Sequence, residues 1–309
     1  MRAPLLAALA AAAAVAACRK APPPPREFDG QTAFGYLQTQ VAFGPRIPNT
    51  RPHEQQAAWL DSLLRARADT LVTQRWSHVT AKGDTLRLTN FIARFNPAAA
   101  TRVLYLAHWD TRPHADGPTS KDKRAPVPGA NDGASGVAVL LGVADALKRR
   151  PPAIGVDLLF VDGEDYGDFG AEAQNDVLIG SRYYVQHPAP GPAPAFAVLW
   201  DLVADRNLNI KKEGNSLTGA PEIVDRVWGM ARRLGYQRYF LDETGVTLID
   251  DHVQLQNAGV PAIDVVDFDY PAWHTPDDTI DKVSAASLQI VGDVAAAVIR
   301  QPGVDAGGR

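Results

Sequence analysis

The stretch RVLYLAHWD, residues 102–110, begins the part of the sequence that decides the fold. Its apolar run Arg102–Ala107 is continuous, as is the later run Gly155–Val161, and continuous runs of this length are typical of strands buried on both faces. Between them, Gly136–Leu147 has apolar residues at helical spacing. Strand, helix and strand in this order predict a parallel sheet covered by helices.

The same alternation extends in both directions from this unit. Further helices are predicted near Thr32–Ala42, His53–Arg67, Pro221–Leu234 and Ser284–Ile299, and further strands at Thr70–Val79, Thr85–Phe95, Ala195–Leu199 and Ala262–Val266. The first two of these strands form a hairpin across Lys82-Gly83-Asp84. We therefore expect an α/β three-layer sandwich, in which a central, mostly parallel or mixed sheet has helices on both faces.

Composition gives an ordinary globular chain: 309 residues, of which 46% are hydrophobic and 21% charged, with a formal net charge of -4. The basic residues are scattered, so the sequence shows no nucleic-acid footprint. Residues 28–302 are predicted to form a single catalytic domain, followed by a flexible tail at 303–309. Cys18 is the only cysteine, which excludes an internal disulfide and a thiolate metal site.

The amino-terminal segment has the pattern of an export signal. Arg2 precedes an alanine- and leucine-rich run that ends in Val-Ala-Ala-Cys, and residues 1–18 resemble a bacterial lipoprotein signal peptide. In this interpretation Cys18 is acylated and anchors the protein in a membrane of the cell envelope, whereas an ordinary cleaved signal is the alternative. Residues 19–27 are a proline-rich linker that would hold the domain away from the membrane.

Acidic or histidine residues follow several of the predicted strands, where an α/β sheet binds its ligands. They are His108, Asp132, Glu164, Asp165, Asp201 and His274. Individually, several have structural explanations, since Asn-Asp-Gly around Asp132 is also a turn and helix-capping sequence. The adjacent carboxylates Glu164 and Asp165 are harder to explain structurally, because without a cation they would repel each other and be costly to bury.

Together these residues predict a catalytic zinc site. Asp132, Asp165 and His274 provide three ligands of the types that zinc accepts, which leaves a fourth position open. Glu164 is then free to act as a general base beside the metal. Asp110, two residues after His108, is expected to orient the imidazole of that histidine through a hydrogen bond.

Several motifs resemble the zinc-dependent exopeptidase superfamily, which includes co-catalytic zinc aminopeptidases and glutaminyl cyclases. The similarity is greater to the bacterial cyclases of the animal type, and the motifs that carry it are AHWDTRPHAD, NDGASG, GEDYG, GSRYY, KEG, IDDH and WHTPDD. NDGASG and GED are shared with the aminopeptidases. IDDH at 249–252 and WHTPDD at 273–278 discriminate better.

The resemblance to the cyclases implies one zinc ion, held by Asp132, Asp165 and His274. It makes Glu164 the proton shuttle, Asp201 and Asp250 a hydrogen-bonded acidic pair beside it, and Trp273 a wall of the pocket. The implied reaction converts the N-terminal glutamine of peptides or proteins to pyroglutamate and releases ammonia.

The sequence departs from the animal cyclase pattern at three places. The second acid of the adjacent pair is Asp165 rather than glutamate, a pocket histidine is replaced around Asp264, and the tryptophan expected after the acidic pair is missing. Tyr166 and Phe169 are the nearest aromatic candidates for that tryptophan.

Two other functions remain open. In a di-zinc aminopeptidase, His108 and Asp201 would bind a second metal, with Asp132 bridging the two ions and Glu164 activating water. In the other, the chain is a surface lipoprotein that keeps the fold only for binding. Under either enzymatic function, the loops Asp116–Val127 and Tyr166–Asp176 are expected to frame the cleft.

Overall fold

A computed structural model of the protein describes residues 26–170 and 176–301. The predicted signal segment 1–18 with Cys18, the linker as far as Pro25 and the tail 303–309 lie outside the described residues, so these domain boundaries stay predictions. Among the helices that are described, none has both the length and the apolar character needed to cross a bilayer.

Helices and strands alternate along most of the described chain. In chain order they are α1 (Gly30–Phe43), α2 (Arg51–Arg67), β1 (Thr70–Val79), β2 (Thr85–Phe95), β3 (Arg102–His108), α3 (Ala134–Arg149), β4 (Gly155–Val161), α4 (Ile179–Gln186), β5 (Ala197–Asp201), β6 (Ile210–Lys212), α5 (Gly214–Gly219), α6 (Pro221–Arg233), β7 (Phe240–Thr244), α7 (Asp251–Asn257), β8 (Ala262–Val266) and α8 (Ala285–Arg300). Every predicted helix and strand is confirmed, most to within two residues at each end.

The central sheet has six strands in the order β1-β2-β4-β3-β5-β8. Strands β1 and β2 form the predicted antiparallel hairpin, and β2 also pairs antiparallel with β4. The neighbours β4, β3, β5 and β8 run parallel. The sheet is therefore mixed, and the carboxyl ends of its four parallel strands lie along one edge.

Alternate side chains of β3 enter two separate cores. Tyr105 and Ala107 pack in the larger core, which α1, α3 and α8 share, whereas Leu104 and Leu106 pack on the opposite face with Leu255 of α7. Each such side chain contributes roughly 1.5–3 kcal/mol through the hydrophobic effect when it is fully buried. Because β3 is buried on both faces, the predicted three-layer arrangement is confirmed.

Helix α3 lies unusually close to β5, and Gly136 permits this. A Cβ atom added at Gly136 would lie 1.9 Å from the carbonyl oxygen of Trp200. Trp200 precedes Asp201, the last residue of β5, and the loop that carries Asp132 leads into α3. The close contact between helix and strand thus brings two candidate site residues together.

Five short elements have no counterpart in the sequence prediction: α4, β6, α5, β7 and α7. Strands β6 and β7 pair with each other in a separate two-stranded sheet. Helix α5 has only six residues and depends on Glu213, whose carboxylate accepts hydrogen bonds from the backbone N–H groups of Asn215 (2.8 Å) and Ser216 (2.6 Å). Segments this short carry too few periodic residues to be recognised.

Candidate active site

The fold brings the predicted site residues to the carboxyl edge of the parallel strands. His108 and Asp201 are the last residues of β3 and β5. Glu164 and Asp165 follow β4 after a turn in which Gly163 has a φ of 71°. His274 reaches this edge from the connection between β8 and α8, and its own φ of 54° lies in the left-handed region that non-glycine residues rarely adopt.

Asp132, Asp165 and His274 form a first group, here called the His274 cluster. The Nε2 atom of His274 lies 3.6 Å from Asp132 Oδ2 and 3.4 Å from Asp165 Oδ1. Ligands of a tetrahedral zinc are about 3.3–3.6 Å apart, given metal–ligand bonds of about 2.0–2.2 Å. The Oδ2 atoms of both aspartates are buried and have no hydrogen-bond partner in the part of the chain that the structure describes, so these residues fit a zinc ion.

A second group, the His108 cluster, contains His108, Asp132 and Asp201. The Nε2 atom of His108 lies 3.1 Å from Asp132 Oδ1 and 3.2 Å from Asp201 Oδ1. Asp132 therefore belongs to both clusters and turns one oxygen atom toward each. Burial alone would lower the pKa of His108, but the surrounding carboxylates, Glu164 foremost, raise it well above its usual value.

Glu164 is buried beside the His108 cluster, with its Oε2 atom 3.5 Å from Nδ1 of His108. Burial, together with repulsion from Asp165, raises the pKa of Glu164 well above that of an ordinary glutamate. A carboxyl group with a raised pKa can both accept and return a proton near neutral pH.

Asp110 has a different role from the one predicted. Its Oδ1 atom is 3.7 Å from Nδ1 of His108, which is too far for a hydrogen bond. Instead, its two oxygens accept the backbone N–H groups of Glu164 (3.1 Å) and Asp165 (3.2 Å). Asp110 therefore fixes the turn that carries the adjacent carboxylates, and Nδ1 of His108 has no hydrogen-bond partner among the described residues.

Asp250 lines the same cavity as Glu164 and Asp201. Its carboxylate caps α7 by accepting the N–H of Asp251 (2.5 Å). Burial and the nearby charge of Asp201 raise the pKa of Asp250 to about 6. A hydrogen bond between Asp201 and Asp250 stays a prediction.

The cavity has a volume of about 430 Å³, and its wall combines many carboxylates with the aromatic rings of Phe169, Phe268 and Trp273. The ring of Trp273 stacks on that of His274 at 3.8 Å between centroids, and Phe268 packs against Trp273 at 4.9 Å. Of the two aromatic candidates after the acidic pair, Phe169 lines this cavity, whereas Tyr166 lines a neighbouring one. Asp264 is fully buried in β8 and does not line it.

The two predicted loops each contribute to the rim of the cavity. The loop Asp116–Val127 provides Asp116, and the loop Tyr166–Asp176 provides Asp168, Phe169 and Gly170. Residues 171–175 of the second loop lie outside the described residues.

Three residues near the site were given no role by sequence reasoning. Asp278 accepts the backbone N–H groups of Asn131 (2.8 Å) and Asp132 (3.1 Å), and so holds the loop that carries Asp132. Arg112 and Asp116 contact the His274 cluster directly. All three lie within the motifs AHWDTRPHAD and WHTPDD, which is the signal that could have identified them.

A mixed sheet between helical layers, with carboxylate and histidine clusters at its strand ends, defines the class of zinc-dependent exopeptidase folds. The model of peptidase family M28 matches residues 90–299, more than half of the chain, and the chain belongs to this family. This agrees with the resemblance predicted from the motifs.

Similarity to individual proteins includes both enzyme types. The chain is 26% identical over 215 residues to aminopeptidase YwaD of Bacillus subtilis (64% of this chain, 40% of the relative). It is 26% identical over 233 residues to the glutaminyl-peptide cyclotransferase of Bos taurus (65% and 62%). The chain thus spans less than two thirds of the length of these curated relatives.

Among solved structures, the chain resembles the glutaminyl cyclase of Bacteroides thetaiotaomicron bound to N-acetylhistamine. The two share 35% sequence identity with a TM-score of 0.86, over 90% of this chain and 99% of that structure. The similarity therefore covers the whole catalytic fold.

Proposed function

We propose that the protein is a zinc-dependent glutaminyl-peptide cyclotransferase, which converts N-terminal glutamine of peptides or proteins to pyroglutamate and releases ammonia. One observation supports the single metal ion that this function implies. Nδ1 of His274 lies at hydrogen-bond distance from Asp116 Oδ1 (2.8 Å). Nδ1 of His108 has no hydrogen-bond partner among the described residues, with Glu164 Oε2 3.5 Å and Asp110 Oδ1 3.7 Å away. Histidines that bind metals almost always have such a partner, so the His274 cluster is the better metal site.

Asp132, Asp165 and His274 would hold the zinc ion. When bound there, zinc supplies Lewis-acid polarisation of the γ-carboxamide oxygen of the substrate glutamine. The fit rests on the Oδ2 atoms of the two aspartates, which have no hydrogen-bond partner among the described residues, and on the 3.6 Å between Asp132 Oδ2 and Nε2 of His274.

The side chains around this cluster carry out the proton transfers. Glu164, as a carboxylate, accepts a proton from the substrate's α-amine as the amine nitrogen bonds to the γ-carbon. The same carboxyl group returns that proton to the departing nitrogen, and the bond between the γ-carbon and this nitrogen breaks to release ammonia. Glu164 therefore ends each turnover in the protonation state in which it began.

The cavity wall favours an intramolecular reaction. Trp273 and Phe169 enclose a space that receives the glutamine side chain and brings its carboxamide toward its own amine. Asp201 and Asp250 line the cavity together with Glu164, where a hydrogen bond between the two aspartates would orient the amine. Because the nucleophile belongs to the substrate, the protein's main tasks are positioning and exclusion of water.

A di-zinc aminopeptidase is the second candidate, and the position of Asp132 favours it. Its Oδ1 and Oδ2 atoms face different clusters, as a bridging ligand requires. His108 and Asp201 would then bind the second ion, and Glu164 would accept a proton from the attacking water. A binding protein without activity, the third hypothesis, does not explain why a buried Glu164 lies beside two clusters of potential ligands.

Export to the cell envelope is part of the proposal and rests on the sequence alone. The segment that ends at Cys18 resembles a lipoprotein signal, and the implied lipid would anchor the chain to a bacterial membrane. Mass spectrometry of the mature protein tests this, because an unmodified Cys18, or a mature terminus elsewhere, would refute it.

Offering two substrates to one purified sample tests the catalytic proposal. We expect a glutaminyl dipeptide to release ammonia, a leucyl anilide to release no aniline, and metal analysis to give close to one zinc per chain. Release of aniline without ammonia, together with two zinc ions, would establish the peptidase instead. Neither product from a zinc-loaded sample would favour the binding protein.

Glu164→Gln tests the proton carrier. The variant should retain zinc and lose most turnover, by roughly 10²–10⁴-fold, because the amide cannot transfer the proton. The exposed Glu222 of α6 offers a matched control, since Glu222→Gln makes the same chemical change away from the cavity. A fully active Glu164→Gln enzyme would contradict the assigned role.

A further inference from the structure

Arg112 connects two ligands of the His274 cluster that come from different parts of the chain. Its Nη1 donates to Oδ1 of Asp165 (2.5 Å) and to the carbonyl oxygen of the same residue (3.3 Å). Its Nε donates to Oδ1 of Asp116 (2.7 Å), and its Nη2 donates to the other oxygen of that carboxylate. Oδ1 of Asp116 is also 2.8 Å from Nδ1 of His274.

The burial of these groups makes Arg112 important for the geometry. The side chain of Arg112 is only 4% exposed, whereas that of Asp116 is 47% exposed. Holding an exposed carboxylate in one conformation costs side-chain entropy, so such a group stays in place only when a partner binds it well. The two-point contact with the planar guanidinium provides that partner and keeps Asp116 against His274.

Arg112 also determines which atom of Asp165 is available to a metal. Oδ1 of Asp165 is occupied by the guanidinium, whereas Oδ2 is buried and unpartnered. The contact leaves one oxygen free to bind an ion, and it neutralises part of the charge of a crowded group of carboxylates.

We propose that Arg112 is a positioning residue that, with Asp116, organises the His274 cluster for metal binding. It restricts Asp165 to one ligand oxygen, and through Asp116 it keeps Nε2 of His274 directed at the aspartates. This deepens the proposed function, because it rests on the metal site assigned there. It does not depend on which reaction that site catalyses.

Zinc affinity, measured by competition with a chromogenic chelator, tests the proposal directly. Partners that orient metal ligands are typically worth 10–100-fold in metal affinity. We expect Arg112→Gln, which disturbs two ligands, to weaken zinc binding by about 100-fold, and Asp116→Ala, which disturbs one, by about 10-fold. Asp116→Asn should retain most of the affinity, because its amide oxygen can still accept the hydrogen bond from His274.

A double variant shows whether Arg112 and Asp116 affect zinc binding through the same contact or independently. If Arg112 acts on His274 through Asp116, the combined loss in Arg112→Gln/Asp116→Ala will be smaller than the product of the single losses. Cobalt(II) substitution adds a spectroscopic readout: freeing Oδ1 of Asp165 should raise the coordination number and weaken the visible d–d absorption in Arg112→Gln.

Arg67→Gln is the matched control. Arg67 is also largely buried, at 15% exposure, and pairs with Asp145 of α3 (2.7 Å); neither residue lines the cavity. This variant should lose stability without losing zinc affinity. Far-UV circular dichroism of the metal-free proteins monitors folding, and if Arg112→Gln fails to fold, Asp116→Ala with its Asn counterpart still tests the connection.

Zinc affinities of Arg112→Gln and Asp116→Ala within about threefold of the unmodified protein would overturn the proposal. Failure of the proposed function would give a different result from failure of the role assigned to Arg112. In that case the unmodified protein binds zinc but forms no pyroglutamate, and the order of zinc affinities among the variants still tests the role of Arg112.

Discussion

Gly136 provides a sharp test of how the fold positions the site. Its α-carbon faces β5 so closely that an added methyl carbon would lie 1.9 Å from the carbonyl oxygen of Trp200. Gly229 in α6 is the matched control, because a methyl group there would meet nothing within 4 Å. The substitution to alanine is chemically identical in the two helices, and only the surroundings differ.

The expected effects have opposite signs. Alanine favours a helix over glycine by about 1 kcal/mol, so Gly229→Ala should stabilise the protein by roughly 0.5–1 kcal/mol. At Gly136 the methyl carbon needs about 1.4 Å more space to reach an ordinary contact near 3.3 Å. Helix α3 is buried along most of its length and cannot move away freely. Overpacking at this position costs about 3 kcal/mol, and the higher helix propensity of alanine offsets about 1 kcal/mol of that cost. Gly136→Ala should therefore destabilise the protein by about 2 kcal/mol or more.

Urea unfolding of both variants, followed by circular dichroism with zinc held constant, measures these differences. The melting temperature of Gly136→Ala should fall by about 4–8 °C. A Gly136→Ala protein as stable as Gly229→Ala would show that α3 and β5 are not in the close contact described, and the stated positions of Asp132 and Asp201 would fall with it.

Three further expectations concern pH, metal and substrate. Burial raises the pKa of Asp267 to about 7, so the folded protein keeps a proton that the unfolded chain loses above pH 4. The free energy of unfolding should therefore fall between pH 5 and 8, by roughly 2–3 kcal/mol more in the unmodified protein than in Asp267→Asn. Equal pH profiles of the two proteins in urea titrations would refute this. Removal of zinc by a chelator should lower the melting temperature in calorimetry by about 5–10 °C, because zinc at 100 times its dissociation constant stabilises the folded state by about 2.7 kcal/mol. An unchanged melting temperature would exclude a bound ion. Trp273→Ala should lower kcat/KM for a glutaminyl peptide by about 10–100-fold, mainly through KM, with Trp273→Phe less affected; an unchanged KM would remove Trp273 from the pocket wall.

The elements that were predicted accurately are those whose own residues carry a strong pattern. The strands Gly155–Val161 and Ala262–Val266 agree residue for residue, because continuous apolar runs have abrupt ends. Helix α7 was missed since its seven residues complete barely two turns, and it begins where Asp250 caps it rather than at an apolar repeat. Short elements of this kind depend on tertiary contacts that the local sequence does not encode.

The candidate site was predictable to the extent that strand ends determine it. His108 and Asp201 end apolar strands and Glu164 follows one after a short turn, so a parallel sheet brings them to one edge. Asp110 shows the limit of this reasoning. Its spacing from His108 suggested a ring contact, but its side chain turns instead toward the backbone of Glu164 and Asp165, a direction that sequence spacing leaves open.

The two clusters illustrate why residue types alone do not rank metal sites. Each contains one histidine and two aspartates, and Asp132 belongs to both. Their surroundings differ. The second ring nitrogen of His274 lies at hydrogen-bond distance from a carboxylate that Arg112 holds in place, whereas that of His108 has no hydrogen-bond partner among the described residues. A second ion would have to share Asp132 with the first. Arg112 and Asp116, although neither was recognised as a ligand, create this difference between the clusters.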